Sequence, residues 1–480
     1  MSVAAALRSN AIDIGPRAAL HALNRLGYGP RPADVRRVLA LGLEKYVDQQ
    51  LHPGPDPELE VRLRPLATIN YPIPQVLSIY NADNRAIGSL VDEFQTARLI
   101  RSAHGQNQLQ EALVEFWFNH FNVFIGDGFV RYSIMSYERE AIRPFVLGRF
   151  RDLLGATAAH PAMLFFLDNY TNRADVNQGG RIIPGINENY GRELLELHTV
   201  GVDAGYSQND VREAARVFTG WGIDNVNNGG NFTFRANVHD RGAKNVFGLD
   251  VPAGGGKEEG DHLLDYLSTH PATARFISRK MAQRFVADDP PARIVDRMAS
   301  TFLSTGGDLR EVTRTMVSSA EFWAEAFGAG GAGKVKTPFE YVVSAIRAVE
   351  GQVTNSRAVA QQLNNMGMGL YQAVPPTGYS NRGSEWLNPS SHLSRMNFGL
   401  DLAAGAIAGV TIDSRSVIAR LGGGPDDPRS AARTIDDDLF AKGLTPETLD
   451  AAGRVAPGGA TSVAARVMGL CLASPEMQVR

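Results

Sequence analysis

Apolar residues recur at helical spacing through most long stretches of this chain. In residues 33–51 the repeating positions are Val35, Val38, Leu39, Leu43, Val47 and Leu51. Residues 109–124 repeat the pattern with Leu109, Leu113, Phe116, Trp117, His120 and Phe124, and Glu111, Glu115, Asn119 and Asn122 fall on the other side. Such spacing is typical of amphipathic helices. The sequence therefore predicts a mainly α protein.

One stretch alternates in the way that β-strands do. Residues 231–238 place Phe232, Phe234, Ala236 and Val238 at every second position, after an Asn- and Gly-rich turn. This pattern predicts one small β-hairpin near residues 223–240. We expect residues 1–17 to form an N-terminal tail and residues 18–478 a single large helical domain. A division of that domain into lobes 18–250 and 258–478 is the alternative arrangement.

Composition excludes several classes of protein. The chain has 480 residues, a net charge of −3 and a pI near 6.4, so we expect no nucleic-acid partner. It contains no run of about 20 apolar residues, which predicts no membrane span. The N-terminus shows no signal peptide, so we expect a cytoplasmic protein and leave export open. The single cysteine, Cys471, lies in an apolar run and is expected to be buried.

The stretch from residue 187 to residue 221 is the densest in groups that can do chemistry. It predicts a helix, a glycine-containing turn and a second helix, the second beginning at a capping box of Ser207 and Asp210. Arg192, Glu193 and Glu196 fall within about 100° of one another on the first helix. His198 falls on the apolar side, so it points away from Glu196. The simplest interpretation of the two glutamates is a solvated face, and the alternative is a catalytic pair neutralised by Arg192.

Two further places hold candidate functional groups. His120 lies within an apolar stripe, where an imidazole needs either a hydrogen-bond partner or a function. His239 and Asp240 follow the predicted hairpin in a loop, and loops often carry function. Our candidate catalytic residues are Glu193, Glu196, His198 and Arg192. Our candidate metal ligands are His120, His198, Glu193, His239 and Asp240.

Two loops receive different interpretations. Gly328 to Lys334 nearly matches a phosphate-binding loop, but Val335 stands where that motif needs Ser or Thr, and a helix precedes it. We therefore reject nucleotide binding there. Residues 372–398 form a long loop rich in aromatic and polar residues, which we expect to pack over a cleft.

Eight motifs in order give the chain a family resemblance. They are His21-Ala-Leu-Asn24-Arg25-Leu-Gly-Tyr-Gly29-Pro30, Phe116-Trp117-Phe-Asn119-His120-Phe121, Asn187-Glu188-Asn-Tyr190-Gly-Arg192-Glu193-Leu-Leu-Glu196-Leu-His198-Thr199-Val-Gly201, Thr219-Gly220-Trp221, His239-Asp240, Lys336-Thr337-Pro338-Phe339-Glu340, Pro376-Thr377-Gly378-Tyr379 and Ser474-Pro475-Glu476. The chain resembles the bacterial family catalogued as domain of unknown function 1800. The resemblance implies a large, mostly helical bacterial protein, often exported and often encoded beside a second uncharacterised protein that would be a candidate partner. It implies no activity.

The residues leave three functions open. The first is a metal-assisted enzyme, hydrolytic or oxidative, that holds a divalent transition metal in a His/carboxylate site between helices. Against it, the sequence has no His-Glu-x-x-His spacing. The second is an enzyme without metal in which Glu193 or Glu196 is the general acid or base, as in carbohydrate cleavage. The third is a non-catalytic binding or assembly protein whose buried polar motifs are structural.

Overall fold

The structure is a computed structural model, and it describes residues 15–83, 85–224, 230–327, 333–456, 458–459 and 461–480. Helices account for 60% of it, with 24 helices and only small two-stranded antiparallel sheets. The predicted mainly α fold is confirmed. Most of the predicted tail and most of the rejected phosphate-loop stretch lie outside the described residues. The division into lobes stays a prediction.

The repeat at residues 109–124 forms a helix as predicted, whereas the repeat at residues 33–51 is divided into two helices at Gly42, whose φ is +91°. Twelve helices lie in the described residues of the first half. They are α1 (Pro16–Arg25), α2 (Asp34–Leu41), α3 (Leu43–Leu51), α4 (Pro57–Leu63), α5 (Ile73–Ala82), α6 (Ala86–His104), α7 (Gln108–His120), α8 (Val130–Ser136), α9 (Phe150–Ala158), α10 (Pro161–Phe166), α11 (Asn189–Glu193) and α12 (Gln208–Val217). Two π-helical segments continue α8 and α11, at Tyr137–Ile142 and Leu194–His198. The predicted capping box of Ser207 and Asp210 begins α12.

The second half is also helical. Its helices are α13 (Lys257–Ser268), α14 (Pro271–Phe285), α15 (Ala292–Ser304), α16 (Leu309–Val317), α17 (Ala320–Phe327), α18 (Pro338–Ala348), α19 (Arg357–Asn365), α20 (Pro389–Ala403), α21 (Ser414–Arg420), α22 (Pro428–Leu439), α23 (Pro446–Gly453) and α24 (Val463–Ala473). Short 3₁₀ turns lie at Ala67–Asn70, Arg143–Phe145, Asn169–Thr171, Val202–Ala204, Gly383–Trp386 and Pro475–Gln478. Cys471 is buried in α24, as expected.

Four antiparallel pairs of short strands interrupt the helices. The pair β3 (Trp221–Ile223) and β4 (Phe232–Phe234) is the predicted hairpin, with Trp221 opposite Phe234. The sequence did not predict the other three: β1 (Val176–Gln178) with β2 (Arg181–Ile183), β5 (Lys244–Val246) with β6 (Leu249–Val251), and β7 (Gln352–Val353) with β8 (Val410–Thr411). Their strands are two or three residues long, too short for an alternating pattern to be recognised.

Helix α7 lies in the interior and is buried on both sides. Trp117 and His120 on the apolar side are 0% and 2% exposed, and Glu111 and Asn122 on the polar side are 3% and 2% exposed. A buried carboxylate is costly unless it is paired. The polar side of α7 must therefore contact charged partners rather than water.

Buried ion pairs supply those partners. Arg143 contacts Glu111 at 2.6 Å and Glu138 at 3.0 Å. Arg284 of α14 lies 2.9 Å from Glu115 and also pairs with Glu340 of α18. Arg480 completes the chain of pairs, with its Nη1 2.7 Å from Glu340. Elements far apart in sequence are thus fixed to the polar side of α7.

Tyrosine hydroxyls and further arginines extend this network. Tyr28 donates to Glu115 at 3.0 Å, and Tyr371 donates to Glu138 at 2.6 Å. Burial alone would raise the pKa of Glu138, but the charges of Arg98 and Arg143 lower it to about 2. Glu138 is therefore ionised, and it acts as a fixed negative charge between the arginines.

The loop after α19 packs on the end of α7, as expected, but it is shorter than the predicted loop of residues 372–398, because α20 begins at Pro389. Asn119 donates to the carbonyl of Tyr379 at 2.7 Å and accepts from its backbone N–H at 2.6 Å. Gly378 has a φ of +69°, and a Cβ there would lie 2.3 Å from the Asn119 carbonyl oxygen. A glycine is therefore required for the loop to approach α7 this closely. The loop covers a cavity of about 50 Å³ that Arg98, Glu115 and Asn119 help to line.

No helix in the described part of the chain has both the length and the apolar character needed to cross a membrane.

We expect Asn119→Ala to release the loop from α7. The substitution leaves the N–H and C=O of Tyr379 without partners, so it should lower the free energy of unfolding by about 1–3 kcal/mol. Urea denaturation measures this loss, and limited proteolysis should cut within residues 372–388 sooner. The control is Asn209→Ala on the exposed surface of α12, which should change stability by less than about 0.5 kcal/mol. Equal stability and proteolysis of the two variants would contradict the assignment.

Candidate functional site

A π-helical segment determines the directions in which the side chains of Glu193, Glu196 and His198 point. Leu194–His198 continues α11, and the helix ends at Thr199, whose φ of −130° and ψ of −94° are not helical. The Thr199 hydroxyl donates to the carbonyl of Leu194 at 2.6 Å. Single π turns inside helices are frequent at functional sites. Glu193 and Glu196 are half-buried on this segment, whereas His198 is 1% exposed.

The structure brings His198 against His120. His120 Nε2 donates to the backbone carbonyl of His198 at 3.2 Å, and the ring centroids are 6.2 Å apart. Because Nε2 carries the hydrogen, the free electron pair of His120 is on Nδ1. Within the described residues, neither His120 Nδ1 nor His198 Nε2 has a hydrogen-bond partner. Two buried imidazoles therefore each keep a nitrogen that the fold does not use.

Both imidazoles are neutral. Burial, and then the positive charge of Lys280, lowers the pKa of His198 to about 3 and holds that of His120 well below its ordinary value. Burial away from water disfavours a charged imidazole unless a neighbouring carboxylate compensates for the lost hydration. Both histidines can therefore accept a proton or donate an electron pair.

Lys280 is the third basic group at this place. It is half-buried on α14, and burial lowers its pKa to about 8. Among the residues described, it has no hydrogen bond and no ion pair; its Nζ lies 5.4 Å from the ring centroid of Phe276. That ring is 6.3 Å from the ring of His120. Phe276 thus contacts both the amine and the imidazole.

Glu193, Glu196 and Arg192 lie on the outer side of the same segment. Burial, and then the charge of Glu196, raises the pKa of Glu193, although Arg192 partly offsets the rise. Arg192 does not form an ion pair with either carboxylate: it contacts Glu188 at 3.2 Å and Gln208 at 3.0 Å. Glu193 is therefore a carboxyl group with a raised pKa beside a second acidic side chain, an arrangement that suits a proton donor.

His239 and Asp240 belong to a separate buried cluster. His239 Nδ1 lies 2.8 Å from the Thr219 carbonyl, and its Nε2 lies 3.3 Å from Glu259. Both oxygens of Asp240 accept from Arg216, at 2.9 and 3.0 Å. Asp240 is occupied by its contacts with Arg216, whereas His239 Nε2 makes no hydrogen bond within the described residues. No contact joins His239 or Asp240 to His120 or His198 in that part of the chain.

The five candidate metal ligands are thus divided among three places. His120 and His198 lie together, Glu193 lies on the outer side of the segment, and His239 and Asp240 lie in the second cluster. In the part of the chain that the structure describes, no group of three or more His, Cys, Asp or Glu side chains could hold a metal ion. The arrangement therefore supports nitrogen-base chemistry more directly than metal chemistry.

The sequence patterns did not indicate Lys280, Glu259 or Lys244 as residues of a candidate site. The side chain of Lys244, at the start of β5, is fully buried and lies 2.7 Å from Glu259 in the first turn of α13. Lys280 follows Arg279, which is exposed, and both are basic residues of one helix. No single-sequence pattern separates these two, because the difference depends on which helix face meets α7.

Acid should destabilise the protein partly through His198. Its pKa is lowered in the folded state, so the unfolded chain binds the proton first as pH falls below about 6.5. Between pH 7 and pH 5 this one histidine should account for a loss of about 2 kcal/mol in the free energy of unfolding. Urea denaturation at the two pH values should show a smaller loss for His198→Met than for the wild type.

The control for this test is His52→Met, at an exposed position. It should keep the wild-type dependence on pH. If His198→Met showed that same dependence, the neutral state of the buried imidazole would be contradicted.

Comparison with known families agrees with the motif resemblance. The family model described as "Protein of unknown function (DUF1800)" matches residues 21–479. No curated protein and no solved structure matches the chain. Since the match covers nearly the whole sequence, the chain belongs to the DUF1800 family.

Proposed function

We propose that this protein is an enzyme whose reactive amine is Lys280, assisted by the imidazoles of His120 and His198. The observation that carries the proposal is the amine itself, which is half-buried and has no acidic or hydrogen-bonding partner among the described residues. Basic groups with perturbed proton affinities and no structural partner concentrate at functional sites. The lowered pKa of Lys280, about 8, leaves an appreciable fraction of the amine uncharged near neutral pH.

A desolvated lysine of this kind suits chemistry on a carbonyl substrate. The amine nitrogen adds to the carbonyl carbon, and the carbonyl oxygen takes up a proton. Loss of water then leaves a Schiff base. A neutral imidazole can accept the proton that leaves the amine and return it to the departing oxygen.

The outer carboxylates complete the proposed site. Glu193 is the candidate proton donor, because its raised pKa keeps it protonated to a higher pH, and Glu196 is the adjacent carboxylate. Arg192, which is paired with Glu188, is assigned to orienting this face rather than to neutralising either glutamate.

The metal-assisted mechanism has less support than the amine mechanism. A divalent transition metal needs three or more protein ligands in most catalytic centres, and two imidazoles are the largest part of the predicted set that lies together. Asp240 is committed to Arg216, and His239 lies in that separate cluster, with its Nδ1 2.8 Å from the Thr219 carbonyl and its Nε2 3.3 Å from Glu259. We therefore propose the site without a resident metal.

A non-catalytic binding or assembly role is the second candidate, because many motif residues have internal partners. Thr337 and Glu340 form the capping box of α18, and Glu340 also pairs with Arg284. Asn119 is fully engaged by Tyr379. Such contacts fix helix packing and need no substrate. The neighbouring-gene partner and the cellular compartment stay predictions from the sequence.

Competitive trace labelling with acetic anhydride tests the amine. Reactivity of Lys280, read by mass spectrometry across pH 6–11, should rise with a midpoint near pH 8. Incubation with small aldehydes and borohydride should then leave a stable adduct on Lys280. The exposed Lys45 of α3 is the internal reference.

Matched variants separate the two candidate functions. Lys280→Met should abolish the adduct while the chain stays folded, and Lys45→Met should leave it unchanged. A Lys280 that labels with the same pH profile as Lys45, or that forms no adduct, would reject the amine mechanism and favour the assembly role.

A further inference from the structure

A second region, remote in sequence from the proposed active site, surrounds a cavity of about 360 Å³. Helices α1 and α18, the end of α22 and the last residues of the chain enclose it. Its lining residues are Arg17, Leu20, His21, Asn24, Pro30, Gly333, Lys336, Ser344, Ala348, Leu439, Phe440, Gly443, Glu476, Met477, Val479 and Arg480. Three of the motifs that carry the family resemblance meet here, and the proposed function uses none of their residues.

The cavity holds a buried lysine amine that has no carboxylate partner within the described residues. Lys336 is 4% exposed, and its Nζ donates to Ser344 Oγ at 3.0 Å. Its other recorded contact is Met477 Sδ at 3.9 Å. In the described parts of the chain, no carboxylate lies within ion-pair distance of this nitrogen. A buried cation is expensive unless an anion faces it.

Neighbouring charges increase the need for an anion. Burial, and then the charges of Arg480 and Arg395, lowers the pKa of Lys336 to about 7. Arg480 pairs with Glu340, but that carboxylate is shared with Arg284. The surroundings of the cavity therefore carry more positive than negative charge.

Among the described residues that line the cavity, the one acidic side chain is already engaged. Glu476 accepts from the backbone N–H of Thr445 at 2.9 Å and from the Thr448 hydroxyl at 3.1 Å. It fixes the start of α23 and is not paired with Lys336.

Polar groups beside Lys336 are held close together. Gly29 has a φ of +88°, and a Cβ there would lie 2.7 Å from Ser344 Oγ and 3.0 Å from Asn24 Oδ1. Asn24 Oδ1 is buried and, among the described atoms, has no hydrogen-bond partner. His21 Nε2 donates to the Phe322 carbonyl at 2.8 Å, which directs the free electron pair to Nδ1. Glycine at position 29 thus leaves room for Ser344 and Asn24 beside the turn after α1. The free Asn24 oxygen and the His21 lone pair are acceptors, so the Lys336 amine and not these atoms would contact an anion.

We propose that this cavity binds a small organic carboxylate, with the Lys336 ammonium facing the carboxylate group. Apolar residues also line the cavity, among them Leu20, Ala348, Leu439, Phe440 and Val479. A volume of this size is at the lower end of the usual range for small-molecule sites. The combination of one cation and an apolar wall suits a monocarboxylate with a hydrocarbon body better than inorganic phosphate.

Calorimetry with butanoate, hexanoate and octanoate tests the proposal on the full chain, with 1-hexanol and inorganic phosphate as comparison ligands. The carboxylates should bind saturably with 1:1 stoichiometry and raise the Tm, and affinity should increase from butanoate to hexanoate. Hexanol and phosphate should bind at least about tenfold more weakly, because each lacks one of the two recognised groups. Equal binding of hexanol, or tighter binding of phosphate, would overturn the assignment.

Lys336→Met should lower hexanoate affinity about tenfold or more through loss of the charge-assisted contact. The fold should survive, because the substitution removes a buried charge that has no carboxylate partner. The matched control is Lys442→Met, an exposed lysine next to the cavity residue Gly443, which should keep wild-type affinity. Unchanged hexanoate binding in Lys336→Met would overturn the proposal.

A crystal soaked with 6-bromohexanoate gives an answer that depends on no variant. The bromine anomalous peak should lie among the apolar wall residues, and the carboxylate density should lie beside Lys336. A peak elsewhere, with this cavity lacking bromine density, would contradict the site.

Discussion

The rest of the structure depends on the two ion pairs that Arg284 forms with Glu115 and Glu340. They join α14 and α18 to the polar side of α7 in a region where all three side chains are largely buried. Arg480 and Tyr28 attach the end of the chain and the turn after α1 to the same carboxylates. Removing one member of a buried ion pair leaves an uncompensated charge, at a cost of about 3–5 kcal/mol. The packing of distant segments therefore depends on charges being matched at α7.

This matching explains why two lysines are exceptional. The arginines that contact α7 have carboxylate partners, and so does Lys244 in its cluster with Glu259. Lys280 and Lys336, in contrast, are shielded from water without an acidic partner among the described residues. Many buried charges in the described residues are paired, with Arg395 as a further exception, so a buried amine without a carboxylate is a candidate for contact with a bound molecule. The first amine lies beside neutral imidazoles and suits chemistry; the second borders a cavity and suits binding.

Local patterns were enough to predict many of the helices, one of the four strand pairs and the burial of His120 and His198. Helices such as α7 and α14 follow from apolar spacing, and the β3–β4 hairpin follows from alternation. The buried ion pairs at α7 could not be predicted from local patterns. Glu115 and Arg284 are separated by 169 positions, and their pairing is a property of tertiary packing. The π turn at Leu194–His198 leaves no mark in composition, yet it accompanies the separation of the outer glutamates from the buried imidazole. Lys280 could not be distinguished from Arg279 for the same reason.

A double-mutant cycle between Glu115→Gln and Arg284→Met tests most directly the claim that buried charge matching at α7 holds the fold together. The free energies of unfolding of the wild type, both single variants and the double variant are measured by urea denaturation. We expect each single variant to lose several kcal/mol in the free energy of unfolding. The loss in the double variant should be smaller than the sum of the two single losses by about 2 kcal/mol or more. Losses that add to within about 0.5 kcal/mol would contradict the claim, since independent sites behave in that way.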